Sequence, residues 1–170
     1  MGKYRSRIVV AASAMAVIVL NLASPTWFAL IGIAPAWEVL WLLPFSLVNG
    51  PLNGCLAGLS LGLILDAMSL GGGTQAPALV FLGLWWGQLG RRGALIDTSF
   101  GLGLLAWVGS GLVGIGIWLQ FLFFQVLDHP LLFNVWSFHT LFAQVIITSL
   151  LAPLICSWLL LMFRRLNTLP

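Results

Sequence analysis

Residues 49–73 read NGPLNGCLAGLSLGLILDAMSLGGG, and this stretch decides the fold. Glycine recurs at every fourth position, at Gly54, Gly58 and Gly62, and the series ends at Asp66. Residues four apart lie one above another on a helix, so the glycines predict a groove without side chains along one helix face. Small residues let two membrane helices approach until their backbones touch. The stretch therefore predicts a tightly packed helix with a carboxylate near its end.

The composition is that of an integral membrane protein. Of the 170 residues, 61% are hydrophobic and 6% are charged, and the mean hydropathy is +1.08. A soluble domain carries roughly 25% charged residues, so this chain lacks the polar surface that a water-exposed fold needs. We expect a single transmembrane helical domain over residues 1–170. The net charge of +3 implies no nucleic-acid partner, because anionic lipid headgroups account for it.

All seven basic residues fall in three clusters, at the start, in the middle and near the end of the chain. Basic residues are retained on the cytoplasmic side of a membrane. The clusters therefore predict cytoplasmic N- and C-termini and an even number of crossings between successive clusters. These orientation signals are Lys3, Arg5, Arg7, Arg91, Arg92, Arg164 and Arg165.

Six apolar segments predict a bundle of six transmembrane helices, because lipid excludes open sheets and the segments are too long for barrel strands. They lie at about residues 8–24, 36–48, 52–70, 76–89, 100–126 and 139–163. The first is interpreted as an uncleaved anchor, although its basic flank also suits a signal peptide. The second is short and is expected to be kinked at Pro44. We expect residues 26–35, residues 131–138, Glu38 and most of the nine tryptophans to lie at the membrane interface.

Asp66 is the one carboxylate placed inside an otherwise apolar segment. A charged group at membrane depth is costly unless it is paired or hydrated, so some partner must satisfy it. Three roles are open. The preferred one is a structural hydrogen bond to a neighbouring helix or to the Gly71–Gly73 turn. The others are contact with a partner protein and a proton or substrate site.

No group of residues predicts catalysis, a cofactor or a metal site, and the chain is not expected to be an enzyme. Ser110 and His139 suit a nucleophile and its base, but the predicted topology places them at different depths. Asp128 and the two histidines lack the close i, i+4 spacing of metal ligands. Cys55 and Cys156 lie in separate apolar segments and are interpreted as small apolar residues.

The residues around the glycine series resemble the bacterial rod shape-determining protein MreD family. The resemblance runs through Asn49-Gly50-Pro51-Leu52-Asn53-Gly54, Gly58-Leu59, Asp66-Ala67-Met68-Ser69 and Gly72, and it includes the basic pair Arg91-Arg92. It covers the whole chain in hydropathy, but specific residues only from about 44 to 92. The tryptophan-rich composition and the apolar loop before His139 have no counterpart in the family pattern.

The resemblance implies a multi-pass protein of the bacterial inner membrane that acts as a non-catalytic scaffold in cell elongation, which sets rod shape and directs peptidoglycan synthesis. The partners it implies are membrane lipids, a bitopic protein with a large periplasmic domain, an actin-like cytoskeletal filament and peptidoglycan synthases. On this hypothesis the small-residue faces receive the bitopic partner's membrane helix, and Asp66 helps to fix the geometry.

The family is also similar to the substrate-binding subunits of energy-coupling-factor transporters, which are six-helix bundles. This similarity gives an alternative hypothesis, a membrane subunit that binds a small, vitamin-like molecule. It predicts a polar cavity built from Asp66, Gln75, His139 and their neighbours. A third hypothesis is a proton-coupled carrier that uses Asp66.

Overall fold

The structure, a computed structural model, describes residues 2–23, 34–68, 73–92, 99–125 and 135–168, and in these ranges every regular element is a helix. The helices are α1 (Gly2–Ala23), α2 (Trp37–Asn49), α3 (Pro51–Met68), α4 (Ala76–Arg92), α5 (Ser99–Gln125) and α6 (Val135–Thr168). Within the described ranges, three stretches are long and apolar enough to cross a membrane: Pro51–Met68, Phe100–Gln120 and His139–Arg165. Val9–Ala23 is a shorter apolar helix. The prediction of an all-helical fold is confirmed for the described residues, and three of the helices have the length and apolarity that a membrane span requires.

The helix boundaries follow the predicted segments except in α1, which begins at Gly2 rather than at about residue 8, and in α6, which extends beyond 139–163 at both ends. α6 begins at Val135, so residues 135–138 are helical and do not belong to the interfacial loop expected at 131–138. The sequence carries no glycine or proline between Asn134 and Pro153, and nothing there stops a helix from starting early. Most of the predicted interfacial turn at 26–35 lies outside the described part of the chain, and so does most of the Gly71–Gly73 turn. Residues 126–134 also lie outside it.

α2 lies at the centre of the bundle and contacts each of the other five helices. Its 13 residues span about 20 Å at 1.5 Å per residue, which is less than the roughly 30 Å of a bilayer's hydrocarbon core. A helix that is hydrophobic all round lies either in a protein core or in lipid, and the burial of its side chains shows which of the two applies to α2. Ten residues of α2 are buried: Trp37, Glu38, Val39, Leu40, Trp41, Leu42, Leu43, Pro44, Ser46 and Leu47.

Consecutive helices run in opposite directions. Gly54 of α3 lies against Gly83 of α4, whereas Gly62, further along α3, lies against Ala76 at the start of α4. The pairs that show the same opposition are Ser13–Trp41 and Asn21–Glu38 for α1 and α2, Trp86–Gly109 and Ala78–Gly116 for α4 and α5, and Gly103–Ser149 and Gly114–Leu141 for α5 and α6.

This alternation brings the start of α1 and the ends of α4 and α6 to the same end of the bundle. All seven lysines and arginines of the chain lie in these three helix ends. We call this the basic end, and the opposite end, where α2 and α4 begin, the distal end.

Pro44 lies inside α2 and has no N–H to donate to the carbonyl oxygen of Leu40, four residues earlier. The thiol of Cys156 on α6 donates to that oxygen instead, with Sγ 3.4 Å away. Cys156 is fully buried, as expected, but it also replaces a missing backbone hydrogen bond. Cys55 is half-buried and free.

Among the described tryptophans, three lie in the core and are exceptions to the interfacial placement expected for most of the nine. Trp37 and Trp41 are buried on α2, and Trp41 stacks on Phe45 with ring centroids 4.8 Å apart. Trp86 of α4 is fully buried, and its ring fills the space that a side chain at Gly109 of α5 would occupy. The bundle can hold such a large ring because a glycine faces it.

Candidate functional site

α3 and α4 form a hairpin in which the two backbones are in direct contact. Gly54, Gly58 and Gly62 of α3 are buried and face α4. A Cβ atom built on Gly54 would lie only 2.5 Å from the carbonyl oxygen of Gly83, and one on Gly58 would overlap the backbone of Leu79. We call this contact line of Gly54, Gly58, Gly62 and Gly83 the glycine seam. The predicted helix-packing groove therefore exists, and α4 of the same chain fills it.

The seam continues beyond the α2–α3 turn through two further glycines of α4. A Cβ on Gly87 would overlap the backbone of Pro51, and one on Gly90 would overlap that of Leu47 at the end of α2. Gly83 and Gly87 repeat the four-residue spacing of the glycines on α3, whereas the role of Gly90 was missed. Its signal was its position three residues after Gly87, on the same helix face.

The turn between α2 and α3 consists of Gly50 alone. Gly50 has φ +86°, in the left-handed region that favours glycine. Its N–H donates to the backbone carbonyl oxygen of Ser46 near the end of α2, and its own carbonyl oxygen accepts from the N–H of Gly54 in the first turn of α3. Pro51 follows at the first position of α3, where its missing N–H has no cost. Asn49-Gly50-Pro51 thus forms a one-residue junction between two helices.

Because α4 occupies the glycine seam, a partner helix could reach Gly54, Gly58 and Gly62 only by displacing α4. The face of α3 that points away from the bundle instead carries large apolar side chains, among them Leu56 and Leu63. The seam holds the hairpin together, and any docking surface for a partner has to be sought elsewhere.

Asp66 accepts hydrogen bonds from the residues that begin α4. The N–H of Gln75 donates to Oδ1 at 2.7 Å, and that of Ala76 donates to Oδ2 at 3.2 Å. The carbonyl oxygen of Gln75 accepts from Leu79, so Gln75 is the N-cap of α4. The first N–H groups of a helix lack acceptors within the helix, and Pro77, at the next position, carries no N–H group. The carboxylate of Asp66 therefore accepts from the N–H groups at the N-cap, Gln75, and at N1, Ala76. Its charge also complements the positive end of the helix dipole.

The first of the three roles considered for Asp66 was a structural hydrogen bond to a neighbouring helix, and these two hydrogen bonds to α4 are of that kind. Contact with a partner protein and proton or substrate binding by Asp66 stay predictions. Of the residues expected to form a polar ligand cavity, Asp66 and Gln75 meet through the backbone of Gln75, whereas His139 is exposed on α6.

Gln120 of α5 forms hydrogen bonds with Thr74, in the segment that leads into α4. Its Oε1 accepts from the N–H of Thr74 at 2.7 Å and from the Thr74 hydroxyl at 3.1 Å, and its Nε2 donates to the Thr74 carbonyl oxygen at 2.8 Å. One side-chain amide thus binds both backbone polar groups of Thr74. Gln120 was not among the predicted site residues, although an amide in an apolar helix indicates an interhelical hydrogen bond.

Glu38 lies in the interior, and the expectation that it lies at the interface is wrong. It is 4% exposed, and Nδ2 of Asn21 on α1 donates to its Oε2 at 3.1 Å. Two residues earlier, the N–H of Ala36 donates to the hydroxyl of Thr148 on α6 at 3.0 Å. The first turn of α2 is therefore held from both sides, and Glu38 is enclosed with it.

The hydroxyl of Ser110, considered as a nucleophile with His139 as its base, is engaged within its own helix. Ser110 is buried, and its hydroxyl donates to the carbonyl oxygens of Ala106 and Trp107 on its own helix, at 2.9 and 3.2 Å. Among the described residues, no group of three or more His, Cys, Asp or Glu side chains is placed to hold a metal ion. Asp128 and His129, which the sequence offered as ligands, lie outside the described part of the chain.

A cavity of about 340 Å³ opens between α5 and α6. It is lined by Trp107, Val108, Gly111, Leu112, Gly114, Ile115, Leu141, Phe142 and Val145. Apart from the backbone of α5 itself, no atom of the described residues lies within 4 Å of where a Cβ on Gly111 would be, so the backbone of α5 is open to this cavity. The lining offers glycine, aliphatic and aromatic surface, which suits a helix or an acyl chain rather than a hydrophilic ligand.

The described residues that carry the family resemblance form one structural unit. The turn at Gly50, the glycine seam, the capping carboxylate of Asp66 and the basic pair at the end of α4 all belong to the α3–α4 hairpin or its entry. Comparison of the chain with models of known protein families, with curated proteins and with solved structures found no match to any of them.

Replacing Gly58 by alanine is expected to destabilise the bundle by roughly 1–3 kcal/mol, because the new Cβ overlaps the Leu79 backbone and the helices must separate. Gly111→Ala is the matched control: it makes the same change inside a helix, in open space, and is expected to be neutral or slightly stabilising. Thermal unfolding of both variants in the same detergent or bicelle measures the difference. Equal stability of the two variants would show that the seam is not closed.

Replacing Asp66 by alanine removes the acceptor for two helix-terminal N–H groups and is expected to cost roughly 1–3 kcal/mol of stability. Asp66→Asn keeps one acceptor oxygen and is expected to lose less. The same thermal-unfolding measurement ranks wild type above Asp66→Asn and Asp66→Ala last. If both variants are as stable as wild type but Asp66→Asn abolishes an uptake activity, Asp66 belongs to a carrier instead.

Proposed function

We propose that the chain is a non-catalytic inner-membrane scaffold of the bacterial cell-elongation machinery, similar to MreD. The observation that carries this proposal is the α3–α4 hairpin. In the structure, the residues of the MreD-like pattern lie together in this hairpin and its entry. Gly50 forms the turn, the glycines form the seam, and Asp66 caps α4. A pattern whose members share one rigid unit supports a resemblance of structure.

The use of the polar side chains also favours a scaffold over a carrier or an enzyme. Asp66 binds the start of α4, Gln120 binds Thr74, and Ser110 binds its own helix. Each of these groups satisfies the bundle's own backbone, and the outward surfaces of α3, α5 and α6 are rich in large apolar side chains. Apolar helix faces recognise lipid or other membrane helices, by packing rather than by chemistry.

The proposal includes six crossings, with both termini in the cytoplasm. It is supported by the alternation of the helices and by the gathering of all seven lysines and arginines at the basic end. Cytoplasmic retention of basic residues then orients the whole bundle, with Asp66 and the start of α4 toward the periplasm. α2 takes part as a short central crossing enclosed by the other helices.

Tags at the two termini and after Arg92 are expected to be reached by cytoplasmic probes only. A tag after Gly73, which leads into α4 at the distal end, is expected to be reached from the periplasm. Protease protection or impermeant labelling of full-length protein in spheroplasts measures both, and the distal tag serves as the control for intact membranes. Opposite compartments for any two of the first three tags would contradict the proposed topology.

The docking surface we propose for the bitopic partner's single membrane helix is the cavity between α5 and α6. It presents an open glycine backbone at Gly111 beside the exposed rings of Trp107 and Phe142. Helices in lipid gain packing energy where a small residue lets a backbone approach, and this surface supplies such a site outside the closed glycine seam. The partner's identity as an elongation protein comes from the resemblance.

Gly111→Leu fills this surface and is expected to reduce co-purification of the bitopic elongation partner about tenfold, equivalent to ~1.4 kcal/mol, and to round the cells. The control is Leu63→Phe, which enlarges an exposed side chain on α3, away from the cavity, and should leave both readouts unchanged. Gly58→Leu is not a suitable variant, because it would open the seam. Wild-type binding and cell shape in Gly111→Leu cells would contradict this docking surface.

A further inference from the structure

Glu38 is a buried carboxyl group for which the proposed scaffold function has no use. It lies in the first turn of the central helix α2, and α1 and α6 close over it. Its polar contact with another helix is the amide of Asn21, which donates to Oε2. The neighbouring hydroxyl of Thr148 donates to the carbonyl oxygen of Gln144, so that its hydrogen is not directed at Glu38.

No lysine or arginine can reach Glu38, because all seven lie at the basic end. On α1, Arg7 is 14 residues before Asn21, which is about 21 Å along the helix. On α6, Arg164 is 16 residues beyond Thr148, about 24 Å. On α4, Arg91 lies beside Gly50, and Glu38 is 12 residues before that turn, about 18 Å.

The other ionisable groups near the distal end do not supply a counter-charge either. Asp66 on α3 is itself an acid, and its carboxylate accepts hydrogen bonds from the start of α4. α5 contains no ionisable residue, and residues 24–33 and 69–72 contain none by sequence. On α6, His139 is exposed and lies nine residues before Thr148, about 14 Å along the helix. Asp128 and His129 lie outside the described residues.

An ionised carboxylate in such a place would be buried without a cation, which is the arrangement that proteins avoid by taking up a proton. The positive end of the α2 dipole favours the ionised form, but by much less than the loss of water opposes it. A neutral carboxylic acid offers one acceptor oxygen and one O–H donor. The Asn21 amide marks Oε2 as the acceptor.

We propose that Glu38 is a proton-binding site of the bundle, with its carboxyl held as the neutral acid, Oε2 accepting from Asn21 and Oε1 carrying the proton. The proton comes from water as the helices close around α2. This inference rests on the placement of Glu38, Asn21 and the basic residues, and it is independent of the proposed scaffold function.

The chain itself supplies a direct test, because Glu38 is its sole glutamate. Cell-free synthesis with glutamate carrying ¹³C at Cδ labels this one carboxyl without any substitution. Infrared spectra of labelled and unlabelled protein in lipid at neutral pH then differ only in the bands of Glu38. We expect the isotope to displace the C=O band of a protonated carboxyl group and to leave the carboxylate bands in place.

Two variants sharpen the assignment. Asn21→Ala removes the donor to Oε2 and is expected to move the isotope-sensitive C=O band to higher frequency, whereas Asp66→Asn should leave it unmoved. If the label displaces only carboxylate bands in the wild-type protein, Glu38 is ionised and the proposal falls. If Asn21→Ala leaves the protonated band where it was, the assignment of Oε2 as the acceptor falls with it.

Discussion

The enclosure of α2 by protein on all sides is the constraint on which the rest of the bundle depends. A helix of 13 residues is too short to face lipid along a full crossing, and its apolar surface extends all round it. The other five helices all contact it, and ten of its 13 residues are buried. Enclosure also makes its irregular features tolerable: Pro44 leaves the Leu40 carbonyl oxygen without its helical partner, and in lipid that loss would be costly. Here a buried thiol from α6 supplies the hydrogen bond.

The hairpin of α3 and α4 is the second element of the architecture, and its parts depend on one another. The glycine seam brings the two backbones into contact, which fixes where α4 starts relative to the end of α3. Asp66 can reach the N–H groups of Gln75 and Ala76 only because the seam sets that position. The clasp of Gln120 on Thr74 then connects the start of α4 to α5. Three helices are thus linked at the distal end through backbone groups.

Local patterns in the sequence predicted the helices, and non-local packing decided what they could not. Apolar segments bounded by turn residues located all six helices, and the four-residue glycine spacing identified a packing face. The spacing could not say which helix fills that face, because a groove without side chains accepts any close neighbour. Hydropathy likewise gives the depth of Glu38 and Trp86 along a segment, but not whether lipid or protein surrounds them. Gly109, which makes room for Trp86, lies 23 residues away in sequence.

The glycines give one more argument about what lies outside the bundle. A glycine inside a helix costs roughly 0.5–1 kcal/mol relative to alanine, so close packing must offset that cost where glycine is kept. At Gly54, Gly58, Gly62, Gly83, Gly87, Gly90 and Gly109, an added Cβ would overlap a neighbouring helix. At Gly111 no atom of another described element lies within 4 Å of an added Cβ, and no contact among the described residues accounts for the missing side chain. A helix from another protein, packed against α5 at this point, would provide the same close contact that α4 provides to α3.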